Sequence, residues 1–179
     1  MMWYKQLDES WTIFLDRDGV INKRIFGGYI TSYNEFNFLP GVIEAIQILS
    51  SIVGKIVVVT NQQGVAKKCM SIDDLSTIHT NMVTEVITRG GRIDYVFSAV
   101  NLKGALDDQR KPNPFMANKA KDMFPNIEFE KSVMIGDTNS DILFGKNLGM
   151  KTVLIKSEEK ITETTDLTVD SLFEFVSKI

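Results

Sequence analysis

The chain has 179 residues, 20 of them Lys or Arg and 23 Asp or Glu, for a net charge of −3. That length can bury the core of one domain spanning residues 1–179, and the mixed, slightly acidic balance speaks against a nucleic-acid surface or a polybasic membrane patch. A single cysteine, Cys69, excludes an intrachain disulfide framework, the first ten residues show no secretory signal, and no stretch approaches the roughly 20 apolar residues of a spanning helix, so a cytoplasmic setting is expected.

Thr12-Ile13-Phe14-Leu15 reads as a short buried strand, and it runs directly into Asp16-Arg17-Asp18-Gly19-Val20. Such strands belong to parallel sheets covered on both faces, where ligands bind beyond the carboxyl ends. Two carboxylates one residue apart repel each other unless a cation or a shared proton intervenes. Residues 21–38 are polar and aromatic around Gly27-Gly28, and an ordered loop or short hairpin is expected there instead of a full cap domain. After Pro40-Gly41, the spacing of Val42, Ala45, Ile46 and Leu49 predicts a helix, with Gly54 expected to stop it. Residues 55–60 form a nearly unbroken β-branched run, a strand that ends in the polar turn Thr60-Asn61-Gln62-Gln63-Gly64.

Ser71 and Asp74 are spaced as a relative of the capping box. The apolar stripe Leu75, Ile78, Met82, Val83, Val86 and Ile87 carries that helix as far as Gly90-Gly91. Residues 93–100 read as a third strand, and a polar stretch, 101–109, leads into Arg110-Lys111-Pro112-Asn113-Pro114. Asn113 as N-cap and Pro114 at the first helical position predict a helix to Phe124. Residues 132–135 are a fourth strand, ending in Gly136-Asp137-Thr138-Asn139-Ser140-Asp141. A helix with Ile142, Leu143 and Leu148 follows, closed by Gly149. A fifth strand at 151–155 and a short helix at 171–179 complete the chain. The alternation implies right-handed βαβ units and an α/β fold: a Rossmann-like three-layer sandwich with a mainly parallel central sheet.

Four strand ends or loops therefore carry polar clusters: Asp16/Asp18, Thr60/Asn61, Arg110/Lys111 and Asp137/Asp141. In a parallel sheet these ends can converge on one crevice. Their order and types resemble the haloacid dehalogenase superfamily of phosphatases, through D-x-D-G-V, a strand ending in Thr-Asn, a Lys before Pro, and G-D-x-x-x-D. The resemblance spans about residues 12–155. Within it, L-D-R-D-G-V-I-N, V-V-T-N-Q-Q-G and R-K-P-N-P look like the branch of heptose-1,7-bisphosphate and histidinol-phosphate phosphatases.

The resemblance implies Mg²⁺-dependent hydrolysis of a small phosphate monoester through an aspartyl-phosphate. A phosphate is an anion, so an attacking carboxylate needs its repulsion cancelled, and hard oxygen ligands suit Mg²⁺. On this reading Asp16 is the nucleophile and Asp18 protonates the leaving alcohol, then activates water. Asp16, the Asp18 backbone carbonyl and Asp137 hold the metal, and Gly19 permits the close turn. Thr60 and Asn61 offer a hydroxyl and an amide to phosphoryl oxygens, and Lys111 supplies fixed positive charge. Arg110 grips a phosphate or carboxylate of the substrate. Asp141 orients Lys111 or a metal-bound water. Gln62, Gln63 and the loop 23–37 are candidates for substrate contact.

Two departures from these relatives bear on the substrate. They usually carry a zinc loop of cysteines and a histidine before the Arg-Lys-Pro, whereas residues 98–109 contain neither, so no zinc is expected. The heptose phosphatases also tend to have Lys after the metal aspartate, where this chain has Thr138. A sugar phosphate such as D-glycero-D-manno-heptose 1,7-bisphosphate is the first expectation and histidinol phosphate the alternative. A monomer or weak homo-oligomer is expected. The rival from another class is a receiver-like signalling domain phosphorylated on Asp, which needs no general acid two residues away. His79, the only histidine, is expected to pack, Cys69 to be structural or incidental, and Trp3 and Trp11 to seal the N-terminal segment.

Overall fold

The computed structural model describes residues 2–179. Six strands form one sheet: β1 (Thr12–Leu15), β2 (Lys55–Asn61), β3 (Tyr95–Ala99), β4 (Ser132–Gly136), β5 (Lys151–Ile155) and β6 (Leu167–Val169). Their order is β3-β2-β1-β4-β5-β6, and all neighbours are parallel. The chain builds outward from β1 to β3, then crosses back to place β4 on the other side of β1. That reversal opens a crevice at the carboxyl end of β1, the usual ligand position in a doubly wound sheet.

Successive strand residues point to opposite faces, and the apolar runs divide accordingly. Ile13, Leu15, Ile56, Val58, Val133, Ile135, Val153 and Ile155 share one core with α1 (Val42–Ile52), α2 (Ile72–Thr88) and α5 (Leu172–Val176). Phe14, Val57, Val59 and Met134 form a second core with α3 (Phe115–Met123) and α4 (Asn139–Asn147). Three layers result, as the alternation of elements implies. Among the described residues no helix is long and apolar enough to cross a membrane.

The helix starts follow the sequence chemistry. The Ser71 hydroxyl accepts from the Asp74 backbone N–H, while the Asp74 carboxylate accepts from the Ser71 N–H, so α2 opens with a reciprocal capping box. Trp3 stacks on Trp11 at 6.4 Å and lies 6.3 Å from Phe175, holding the N-terminal segment against the domain. The 21–38 segment is an ordered loop: Asn22 bridges to Asp18 and to Phe38, and Ile30 and Phe36 are buried beneath it.

Several expectations change in detail. β6 is absent from the sequence reading because three residues at a sheet edge make no period. α1 ends at Ile52 with Val53 already extended, so Gly54 does not stop it. A Cβ at Gly54 would lie 2.1 Å from the Glu9 carbonyl oxygen, and the glycine serves that close passage. Ile87 is 58% exposed, which leaves Leu75, Ile78, Met82 and Val86 as the buried stripe of α2. α3 begins one residue later than expected: Asn113 Oδ1 accepts from the Phe115 N–H at 3.0 Å and Pro114 takes the cap position. In α4, Ile142 and Phe144 are buried, whereas Leu143 and Leu148 are half-buried.

Candidate active site

The carboxyl ends of β1, β2 and β4 and the loop before α3 surround a cavity of about 390 Å³. Asp16, Asp18, Thr60, Asn61, Gln62, Arg110, Lys111, Asp137 and Asp141 all line it, so the side chains given catalytic, metal or substrate roles reach one place. At its floor Asp16 follows β1 directly, and its backbone N–H donates to the Ile135 carbonyl at 2.9 Å, tying the motif to β4. Lys111 Nζ donates to Asp16 Oδ1 at 2.7 Å and to the Val59 carbonyl at 2.7 Å, and it lies 2.6 Å from Asp141 Oδ1. An ammonium has three protons: two go to Asp16 and Val59, and the remaining charge faces Asp141 as an ion pair. Lys111 is only 4% exposed. Its bond to Pro112 is cis.

Asp141 has two tasks. Its Oδ2 accepts from the Thr138 N–H at 3.0 Å and from the Thr138 hydroxyl at 2.6 Å, capping α4. Its Oδ1 faces Lys111. Gly19 has φ 92°, and a Cβ there would lie 2.3 Å from Asp137 Oδ2, so only glycine lets the D-x-D turn close over the third carboxylate.

Asp16, Asp137 and Asp141 can each bring one carboxylate oxygen within 4.8 Å of the others. Three buried acids crowd one lysine, and the imbalance shows in Asp16 and Asp137. Burial pushes the Asp16 carboxyl up to about 8, Lys111 opposes this, and Asp141, Asp137 and Asp18 add to the rise. Burial likewise raises Asp137 to about 6, with Asp141 adding and Arg24 opposing. The Lys111 ammonium, held by Asp141 and Asp16, keeps its charge against its own burial. Asp137 Oδ1 is buried without a hydrogen-bond partner. An orphaned buried oxygen beside two further buried carboxylates is the donor set a hard divalent cation fits.

Asp18 is treated differently. Its Oδ1 accepts from Arg17 Nη2 at 2.9 Å and Asn22 Nδ2 at 2.9 Å, its Oδ2 from Arg17 Nη2 at 3.0 Å and Gln62 Nε2 at 2.8 Å. Burial raises its pKa, but Arg17 and the hydrogen bonds of Asn22 and Gln62 outweigh it and hold the carboxyl below its usual range. Gln62 also donates to Thr60 Oγ1 at 2.9 Å. Asn61 is engaged with the Lys111 main chain, accepting from its N–H at 2.9 Å and donating to its carbonyl at 3.2 Å. That leaves one amide hydrogen for the cavity. Arg110 Nε and Nη1 are buried with no partner at the cavity wall.

Three further side chains take part to which the motifs assign no role. Arg24 Nη1 lies 3.3 Å from Asp137 Oδ2, and its Nη2 lies 2.9 Å from Glu159 Oε1. Arg17, inside the D-x-D motif, is fully buried. His79, expected only to pack, lies with Nε2 3.1 Å from Arg17 Nη1. From the loop 23–37, a candidate by its position, Ile25, Gly27, Gly28, Tyr29 and Ile30 line the cavity.

Comparison with known proteins agrees with this geometry. A family model described as HAD-hydrolase-like matches residues 109–174. The chain is 32% identical over 170 residues to a D-glycero-alpha-D-manno-heptose-1,7-bisphosphate 7-phosphatase of Mycobacterium tuberculosis, covering 93% of this chain and 90% of that one. It is 38% identical over 159 residues to a D-glycero-beta-D-manno-heptose-1,7-bisphosphate 7-phosphatase of Pasteurella multocida, covering 84% of each. Its fold matches that of a D,D-heptose 1,7-bisphosphate phosphatase from B. bronchiseptica complexed with magnesium and phosphate, with a TM-score of 0.83, 24% identity, and coverage of 94% of this chain and 97% of that one. The chain belongs to the haloacid dehalogenase superfamily, in the branch of the heptose-bisphosphate phosphatases, and is a phosphoric monoester hydrolase.

Proposed function

We propose that this enzyme is a Mg²⁺-dependent 7-phosphatase of D-glycero-D-manno-heptose 1,7-bisphosphate, working through an aspartyl-phosphate on Asp16. The observation that carries the reading is Lys111, whose ammonium bridges Asp16 and Asp141 beneath a cavity that also holds Asp18, Asp137 and Thr60. The relatives' names support the substrate. Residues 1–179 act as one hydrolase domain.

Asp16 and Asp137 would hold the Mg²⁺, with Asp141 beside them and the Asp18 backbone carbonyl as a further ligand. When bound, the ion lowers the pKa of its carboxylates and neutralises charge on the transferring phosphoryl group. An Asp16 oxygen then attacks phosphorus, and the bond from phosphorus to the C7 oxygen breaks. Asp18 gives its proton to that oxygen, then takes one from the water that opens the acyl-phosphate. In the free site Asp18 is ionised. The dianionic phosphate beside it would raise its pKa by like-charge repulsion, which is how it gains the proton. Lys111, fixed by three partners, supplies positive charge without reorganising. Thr60 and the spare Asn61 hydrogen face the phosphoryl oxygens. The unpartnered Nε and Nη1 of Arg110 suit the second phosphate of a bisphosphate.

A phosphate-release screen against both anomers of the heptose bisphosphate, histidinol phosphate and nucleotides tests the reading. Selective release from the heptose ester, abolished by chelator and restored by Mg²⁺ alone, is the expected result. Preference for histidinol phosphate would overturn the substrate. A long-lived stoichiometric phospho-protein without turnover would favour the receiver-like alternative.

A further inference from the structure

We propose that Arg17 and His79 are positioning residues that aim the Asp18 carboxyl at the leaving-group oxygen. The inference rests on the phosphatase reading above and goes beyond it by assigning a role to the only histidine in the chain and to an arginine that touches no substrate.

The side chain of Arg17 is fully buried, an expensive place for a guanidinium unless its charge is paired. It is paired with the neighbouring residue. One nitrogen, Nη2, donates to both oxygens of Asp18 at 2.9 and 3.0 Å. Adjacent side chains in an extended strand would diverge. Here the Arg17 carbonyl accepts from the N–H groups of Val20, Ile21 and Asn22, a tight turn that brings the two side chains together. The other terminal nitrogen, Nη1, meets His79 Nε2 at 3.1 Å. A guanidinium only donates, so His79 Nε2 is an unprotonated acceptor with its hydrogen on Nδ1. Burial and the Arg17 charge keep the imidazole neutral, pushing its pKa down to about 3. The Phe36 ring lies 5.9 Å from the guanidinium carbon.

His79 is carried by α2, whose Leu75, Ile78 and Met82 are locked in the core. The acceptor is therefore rigid, and through Arg17 it fixes the Asp18 carboxylate from below while Asn22 and Gln62 fix it from the sides. Misplacement of a reacting group by ~1 Å can cost about 10²-fold in rate. A purely structural ion pair would slow every substrate alike. A device for aiming the acid matters only when the leaving group needs a proton.

The test compares kcat/KM, which reports steps through leaving-group departure, for the heptose bisphosphate and for p-nitrophenyl phosphate. The sugar alkoxide needs the Asp18 proton; p-nitrophenolate leaves without it. His79→Asn, too short to reach Arg17, is expected to lower kcat/KM for the sugar ester about 10²-fold and to leave the aryl ester within about threefold. His79→Gln, whose amide oxygen can accept from Arg17, is expected to restore most of the loss. Equal losses on both esters, or no loss on either, would overturn the proposal. Asp18→Asn is the control: a sugar-selective loss there with none in His79→Asn sinks this inference alone, whereas no selectivity in Asp18→Asn sinks the acid role itself. Thermal melts of each variant separate misfolding from misaiming, and His79→Gln keeps the question answerable if His79→Asn unfolds.

Discussion

Asp16 and Asp18 stand one residue apart, yet the two sides of the site treat them in opposite ways. Around Asp16, three buried carboxylates share one lysine, and the excess acid retains a proton. Around Asp18, Arg17, Asn22 and Gln62 all direct donors at one carboxylate, which stays ionised. The first side is short of positive charge, whereas the second matches its one carboxylate with one guanidinium and two neutral amide donors. Burial alone therefore says little about the state of an acid; the balance of donors and charges around it decides. The contrast supports the proposed division of labour, with a cation entering on the Asp16 side and Asp18 moving protons.

The strongest challenge to this contrast is Asp16→Asn. Phosphate release should fall by at least about 10³-fold, as when a nucleophile is removed from a catalytic unit, with the far-UV circular dichroism unchanged. Retained turnover would remove Asp16 as the attacking group.

A second measurement addresses the excess of acid directly. In chelator, thermal stability should fall as pH rises from 6.5 to 8. Asp16 holds its proton up to about 8 in the folded protein but releases it near 3.8 when unfolded, so stability declines across that interval. Asp137, raised to about 6, contributes mostly below it. His79 acts with the opposite sign: its folded value of about 3 lies under its ordinary 6.5, so its contribution is lost only as pH falls below 6.5. The window above 6.5 thus isolates Asp16. Mg²⁺ should stabilise more at pH 8 than at pH 6.5, and Asp16→Asn should flatten the chelator profile. Stability that rises with pH in this window would contradict the charge count.

The smallest expected effect concerns Arg24, the cation already resting on Asp137. It competes for an oxygen the metal would use. Arg24→Met should tighten Mg²⁺ binding by about two- to fivefold, the scale of a partly exposed ion pair, as read by calorimetry without substrate. Unchanged or weaker binding would show that Arg24 and the ion do not contend for Asp137.

Much of this arrangement is legible in the amino-acid sequence itself. Residues 55–60 read as a strand because a sheet buried on both faces demands an unbroken apolar run, and β2 is that run with one residue more. The four polar clusters were legible because strand ends in a parallel sheet share one edge. What escaped depends on contacts between distant parts of the chain. Nothing in the local pattern around His79 tells that it faces a guanidinium 62 positions earlier. Arg24 sits in a loop without periodicity, and its partner Asp137 lies 113 positions away. Ile87 misled for a related reason: helical spacing alone does not say where the covering layer ends.

The sheet order has a consequence for how the protein is made. β1 precedes the other five strands in the chain, yet it lies at the centre, and one of its edges is closed only by β4, with Thr12 opposite Ser132. Lys111 must likewise find Asp16 across 95 positions. Such long-range pairing is slow, and an unpaired central edge is exposed to wrong partners until β4 arrives. Turnover therefore reports completion of the whole central sheet, since an intermediate lacking β4 has neither Asp137 nor the second wall of the crevice.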